Sequence, residues 1–119
     1  MLLLMLHPLP SSHLLACALT HDTAEVFTGD MPAGMKKGQF KEMMESYEEQ
    51  ITQRFGLPIP SEKDLAWLGL CDKLDAVLWV REHAQYLLLT PDWIEEWEKI
   101  LRMSKALNVK EKVEELVAL

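Results

Sequence analysis

An all-α fold is predicted by three features of this 119-residue sequence. No run shows the strict apolar–polar alternation of a half-buried strand. Apolar residues recur instead at three- and four-residue spacings, over stretches long enough to be helices. Residues that start and stop helices (Ser, Thr, Gly and Pro) fall at the junctions between those stretches. The length is that of one domain, residues 1–119, which can build a core with a thin stability margin.

The elements follow in order. Met1 to Leu6 is an uninterrupted apolar run ended by His7-Pro8-Leu9-Pro10. It has no basic leader and is too short for a signal peptide or a membrane span, so it reads as the tail of a core helix. With no N-cap, it looks cut rather than started. Ser11 or Ser12 caps a second helix over His13 to Phe27, with Leu14, Leu15, Ala18, Leu19 and Val26 at helical spacing and Gly29 in the C-terminal cap position. Met31 to Gly38 is a loop. A third helix runs from Gln39 to Phe55, with Phe40, Met44, Tyr47, Ile51 and Phe55 in one stripe. Ser61-Glu62-Lys63-Asp64 resembles a capping box and opens a long helix to about Leu88. Thr90 as N-cap and Pro91 at the first helical position open the next, whose stripe is Trp93, Trp97 and Leu101. After Asn108, Val109 to Leu119 forms a short amphipathic end piece. Trp67 and Trp79 are read as core, and Arg81, Glu82 and His83 as an exposed face.

Composition narrows the function classes. The chain is 49% hydrophobic and 26% charged, which is globular rather than disordered. A net charge of −7 with scattered basic residues argues against generic nucleic-acid binding. An acidic protein acting on phosphates needs a cation to bring the anion in, and a bound metal can serve. Cys17 and Cys71 lie far apart in apolar helical stretches and read as buried reduced thiols, consistent with a cytoplasmic protein. No CxxC pair points to a zinc site.

The chemistry concentrates in His21-Asp22-Thr23-Ala24-Glu25-Val26-Phe27-Thr28-Gly29-Asp30. On a helix, His21 and Glu25 stand four apart and Asp22 and Glu25 three apart, so all three share a broad face. Burying such a group without partners costs several kcal/mol, on the order expected for unpaired polar groups. A divalent cation removes that conflict, because imidazole nitrogen and carboxylate oxygen are ligands for borderline and harder metals. A His-Asp dipeptide alone is common and reads as a solvated acidic face near a helix end. The longer pattern carries more.

His21-Asp22-x-x-Glu25 followed by Thr28-Gly29-Asp30-x-Pro32 resembles the signature of the HD superfamily of metal-dependent phosphohydrolases, in its 5′-deoxynucleotidase-like branch, which also occurs in phages. The resemblance implies that His21 and Asp22 bind one metal, that Glu25 is the catalytic acid/base, and that Asp30 positions water or substrate. A further metal-binding Asp is expected on a later helix. Asp72, in Leu70-Cys71-Asp72-Lys73-Leu74-Asp75-Ala76-Val77, fits that pattern, while Asp75 is an outer partner or a solvated charge. Lys36, after the Asp30 loop, is the residue expected to meet a substrate phosphate.

The likeness covers roughly His13 to Glu82. It implies an all-α HD-domain helical bundle, here a single partial domain lacking the family's first helix, because the family's upstream His has no counterpart before the first apolar run. His7 and His13 read as loop and cap residues rather than replacement ligands. One divalent ion (Mn, Co, Zn, Fe or Mg) is the implied cofactor. The expected activity is hydrolysis of nucleoside 5′-monophosphates, preferably deoxynucleotides. The alternative is a catalytically impaired remnant serving as a metal- or nucleotide-binding or partner module. Nucleic acid and membrane are not expected partners; a nucleotide substrate is, together with self-association through the apolar N-terminal face.

Overall fold

In the computed structural model, residues 2–23, 25–28 and 37–118 are described, without the side chains of Phe27 and Thr28. Every described element is helical: α1 (Leu2–Leu6), α2 (Ser12–Thr20), α3 (Glu25–Thr28), α4 (Gly38–Phe55), α5 (Glu62–His83), a 3-10 helix (Gln85–Leu89), α6 (Pro91–Ala106) and α7 (Lys110–Ala118). The all-α expectation therefore holds. The expected cap Gly29 and most of the loop between Met31 and Gly38 lie outside the described residues. No described helix is long and apolar enough to cross a membrane. The chain divides into two compact units, one of residues 1–10 and 62–119 and the other of residues 11–61.

The first unit is organised by α5. Its buried residues Trp67, Leu70, Leu74 and Val77 recur at three- and four-residue steps, and Leu68 and Val80 widen the seam. α1, the 3-10 helix and α6 all pack against α5, and α7 packs against α6. Leu3 and Leu6 come from α1, Ile100 from α6, and Val113 from α7. Leu6, Leu70, Leu74, Ile100 and Val113 are fully buried. Leu4, Met5 and Leu9 are exposed.

Several sequence readings shift in this unit. The long helix ends at His83 rather than near Leu88, because residues 85–89 tighten into 3-10 geometry. Thr90 does take the N-cap position with extended backbone, but its hydroxyl does not cap α6. It donates instead to the Leu87 carbonyl at 2.6 Å, closing the 3-10 helix behind it. The deepest positions of α6 are Ile100 and Ser104, whereas Trp93, Trp97 and Leu101 are only half-buried. Ser104 is accommodated because its hydroxyl donates to the Leu101 carbonyl at 2.9 Å.

The end of α6 is a Schellman turn. Asn108 adopts a left-handed backbone at φ 65°, Val109 N–H bonds the Ser104 carbonyl, and Asn108 N–H bonds the Lys105 carbonyl. The expected interruption at Asn108 is therefore a cap. Trp79 corrects another reading: it is 59% exposed and stacks on His83, with ring centroids 4.5 Å apart. Arg81 is the converse. Its guanidinium turns inward and donates to the Leu116 and Val117 carbonyls at 3.3 and 2.6 Å, at the end of α7. A helix C-terminus has unsatisfied carbonyls and negative dipole character, so a cation there satisfies both.

In the second unit, Ser11 caps α2 by accepting the Leu14 N–H at 3.0 Å. His13 Nε2 donates to the Ile59 carbonyl at 2.8 Å, tying the start of α2 to the segment after α4. Leu14 and Cys17 are its buried positions, whereas Leu19 and Val26 are exposed. α4 ends at Gly56, whose left-handed backbone at φ 60° lets Leu57 N–H reach the Thr52 carbonyl. The expected α4 stripe is present, but only Ile51 within it is buried. Phe40, Tyr47 and Phe55 are exposed.

Replacing Arg81 by Met, which keeps the stem and removes the donors, is expected to destabilise the protein by about 1.5–3 kcal/mol, the range for a hydrogen bond to a charged group. Urea denaturation checks this, and the loss should appear first as fraying of α7 in hydrogen exchange. A second expectation concerns Glu96, which accepts Lys73 Nζ from α5 at 2.9 Å and Lys99 Nζ at 3.1 Å. The hydrogen bond from Lys73, then that from Lys99, holds its carboxyl below the usual range. A carboxyl with a depressed folded pKa stabilises above its unfolded pKa of about 4.3 and loses that contribution as pH falls through the folded value. The pair is partly solvated, so Glu96→Gln should cost less than about 1 kcal/mol at pH 7. The difference from the parent should vanish in denaturant titrations near pH 3.

Candidate metal and phosphate site

The helix expected to run from His13 to Phe27 stops at Thr20, and the stop shapes the site. Thr20 Oγ1 donates back to the Ala16 carbonyl at 2.8 Å, a local bond that competes with helix continuation. Residues 21–23 form a turn. Thr23, Glu25 and Val26 each donate their N–H to the carbonyl three residues earlier, at 3.0–3.1 Å. The chain therefore winds more tightly through His21, Asp22 and Glu25 than an α-helix, and α3 begins at Glu25 itself. His21 and Asp22 lie on the turn and Glu25 opens α3, so the uninterrupted helical face read from their spacing is not formed.

The early stop leaves the last carbonyls of α2 without intrahelical partners. His21 uses one: its Nδ1 lies 2.7 Å from the Ala18 carbonyl oxygen. A carbonyl only accepts, so Nδ1 carries the proton, and in the neutral ring Nε2 carries the lone pair. Such an Nδ1–H to backbone contact is the usual means of fixing the tautomer of a metal-binding histidine. Sequence alone did not reveal Ala18 as the orienting partner, because spacing predicted that the helix continued past it.

His21 Nε2 stands 3.3 Å from Asp22 Oδ2. Two lone-pair-bearing atoms at that distance repel unless a proton or a cation lies between them. Ligand atoms each about 2.1 Å from a shared cation lie about 3.0–3.4 Å apart at octahedral to tetrahedral angles. The spacing of this pair therefore suits two ligands of one divalent ion. The His21 side chain is 30% exposed and that of Asp22 63%, so the pair faces an accessible space. Glu25 is half-buried.

Asp72 is carried by α5, in the other compact unit, and is exposed. Its neighbours Leu70 and Leu74 are fully buried, so the seam of α5 turns Asp72 away from that unit's core. Asp75 is also exposed. Burial pushes the Cys71 thiol up to about 11, and the Asp72 carboxylate adds to the rise. Cys71 is thereby held as the neutral thiol, a poor nucleophile and a poor metal ligand at neutral pH. Cys17 is buried, as the sequence indicated. Asp30 and Lys36, the expected water- or substrate-positioning acid and phosphate-contacting lysine, lie outside the described residues.

His7, considered as a substitute ligand, has its Nδ1 occupied by the Leu9 N–H at 3.0 Å and packs its ring on Trp67 at 4.5 Å. That acceptance places the His7 proton on Nε2. His13 Nε2 is engaged by the Ile59 carbonyl.

No curated protein and no solved structure matches the chain significantly. A family profile does: residues 7–76 match the family described as 5′-deoxynucleotidase YfbR-like. The matched segment is more than half of the chain and includes the His21-Asp22 pair, Glu25 and Asp72. With that match and its helical architecture, the chain belongs to the YfbR-like 5′-deoxynucleotidase family of HD-domain phosphohydrolases.

Proposed function

We propose that this protein hydrolyses the phosphate monoester of nucleoside 5′-monophosphates, deoxynucleotides foremost, with one divalent cation held by His21, Asp22 and Asp72. The carrying observation is the His21-Asp22 pair: an imidazole with its Nδ1 on the Ala18 carbonyl, and a carboxylate oxygen 3.3 Å from its Nε2. Asp72 as the third ligand rests on the family pattern. When bound, the cation supplies Lewis acidity toward the phosphoryl group and its attacking water.

The protein's own groups have separate tasks. His21 and Asp22 present a neutral nitrogen and an anionic oxygen toward one point. Glu25, one tight turn later, is suited to carry a proton to the departing sugar alkoxide, because a carboxyl that is half-buried and beside a cation site can exchange protons without becoming a ligand. Asp30 is assigned to orienting water or the sugar hydroxyl, and Lys36 to a phosphate oxygen.

A second reading is that of a catalytically weakened family member, in which neither His7 nor His13 completes the ligand set. The family pattern uses one more His than the set assigned here. His7 Nδ1 is engaged by Leu9 N–H and His13 Nε2 by the Ile59 carbonyl. Metal affinity is then expected to be reduced, since even loss of an outer partner costs about 10–100-fold.

Three measurements test these assignments. Asp22→Ala is expected to abolish Mn²⁺ binding in calorimetry. Glu25→Ala should keep the metal and lower turnover of a deoxynucleoside monophosphate by about 10²-fold or more, the scale of general acid–base catalysis. Unchanged turnover in Glu25→Ala would remove its assigned role. Titration of the parent chain with Mn²⁺ separates the two readings: micromolar or weaker affinity with low turnover supports the weakened form, and stoichiometric metal with ordinary enzymatic rates excludes it.

A further inference from the structure

We propose that a second groove, built only from the unit of α1 and α5–α7, binds a phosphate-bearing anion of nucleotide size. It has a volume of about 650 Å³ and is lined by His7, Lys63, Trp67, Lys105, Asn108 and Lys112, among others. That volume falls within the range of small-molecule sites. None of its lining residues is an Asp or a Glu, in a protein whose net charge is −7. The groove uses none of the residues assigned to the metal site.

Each wall supplies a donor. Lys63, in the first turn of α5, Lys105, in the last turn of α6, and Lys112, in the first turn of α7, are exposed. Among the described residues these three lysines make no ion pair, whereas Lys73, Lys99 and Lys110 each have a carboxylate within 4.0 Å. His7 accepts the Leu9 N–H at Nδ1, so its Nε2 is a donor. Trp67 is 5% exposed, and its Nε1 is buried without a hydrogen-bond partner. A buried donor with no acceptor is costly, and a ligand oxygen is one way to satisfy it.

The start of α7 completes the set. Val113 N–H bonds the Val109 carbonyl, which makes Val109 the N-cap, and a valine side chain cannot accept the helix's first N–H groups. A helix whose first turn lacks a side-chain cap leaves donors and positive dipole character for an anion. Three lysines without an ion pair among the described residues, the His7 and Trp67 residues and a helix start without a side-chain cap border one recess whose lining has no carboxylate. Glu111 lies in the same first turn of α7 but not in the lining. A phosphate group is the chemistry that matches a recess lined by three lysines and no carboxylate.

The test is equilibrium titration of the full chain with tripolyphosphate and with a nucleoside triphosphate, both without divalent metal. Saturable binding is expected for at least one, weakened about tenfold or more by Lys105→Glu with Lys112→Glu, equivalent to about 1.4 kcal/mol. These are exposed positions, and circular dichroism of the double variant should match the parent. Asp22→Ala should bind as the parent does, which separates this groove from the metal site. Equal affinity for the two probes identifies inorganic polyphosphate chemistry as sufficient; preference for the nucleoside triphosphate identifies a nucleotide. Absence of saturable binding by either probe up to about 10 mM, an unaltered affinity in the folded lysine variant, or loss of binding in Asp22→Ala would each overturn the proposal.

Discussion

The buried seam of α5 is the constraint on which the first unit depends. Trp67, Leu70, Leu74 and Val77 recur on one side of the helix, and α1, the 3-10 helix and α6 all close on it. Burial of large apolar side chains is the main favourable term available to a chain of this size, each contributing about 1.5–3 kcal/mol. The same seam sets the helix's rotation. With Leu70 and Leu74 inward, Asp72 at the midpoint between them must point to the other side. A residue with a proposed chemical role is thus aimed by residues that have none.

The second constraint is the early end of α2. A helix continuing through His21 would spread His21, Asp22 and Glu25 along an ordinary helical face. Stopping at Thr20 does two other things. It makes the Ala18 carbonyl the partner that holds the imidazole, and it winds Asp22 and Glu25 tightly after it. An acid beside an imidazole nitrogen at 3.3 Å is an unfavourable arrangement for a neutral ring without a shared proton or cation.

Charge is distributed to the same effect. The protein as a whole is acidic, yet cations are placed where helix ends or carboxylates call for them. Arg81 serves the carbonyls ending α7, and Lys73 and Lys99 serve Glu96. Lys63, Lys105 and Lys112 stand apart from this pattern by lining a recess instead of meeting a carboxylate. Net charge alone therefore describes this protein poorly; local arrangement decides which anions its surface can meet.

The sequence by itself determined the helical class, most helix boundaries and the segment that carries the family resemblance. Apolar spacing is a local property, and Ser11, Gly56, Pro91 and Asn108 act through their own backbone or nearest neighbours, so each was legible without tertiary knowledge. The His21-Asp22-x-x-Glu25 pattern was legible for the same reason. Tertiary structure decided what spacing cannot encode. Trp79 and Arg81 exchange the places their hydrophobicity predicts, because the end of α7 offers unsatisfied carbonyls to Arg81 and the neighbouring His83 ring offers a stacking partner to Trp79. The Thr90 hydroxyl closes the helix behind it rather than capping the one ahead, because the 3-10 turn brings the Leu87 carbonyl within 2.6 Å. The rotation of Asp72 and the gathering of three lysines from three helices into one recess both depend on which surfaces pack. Packing is a property of several segments at once, and no one of them carries it alone.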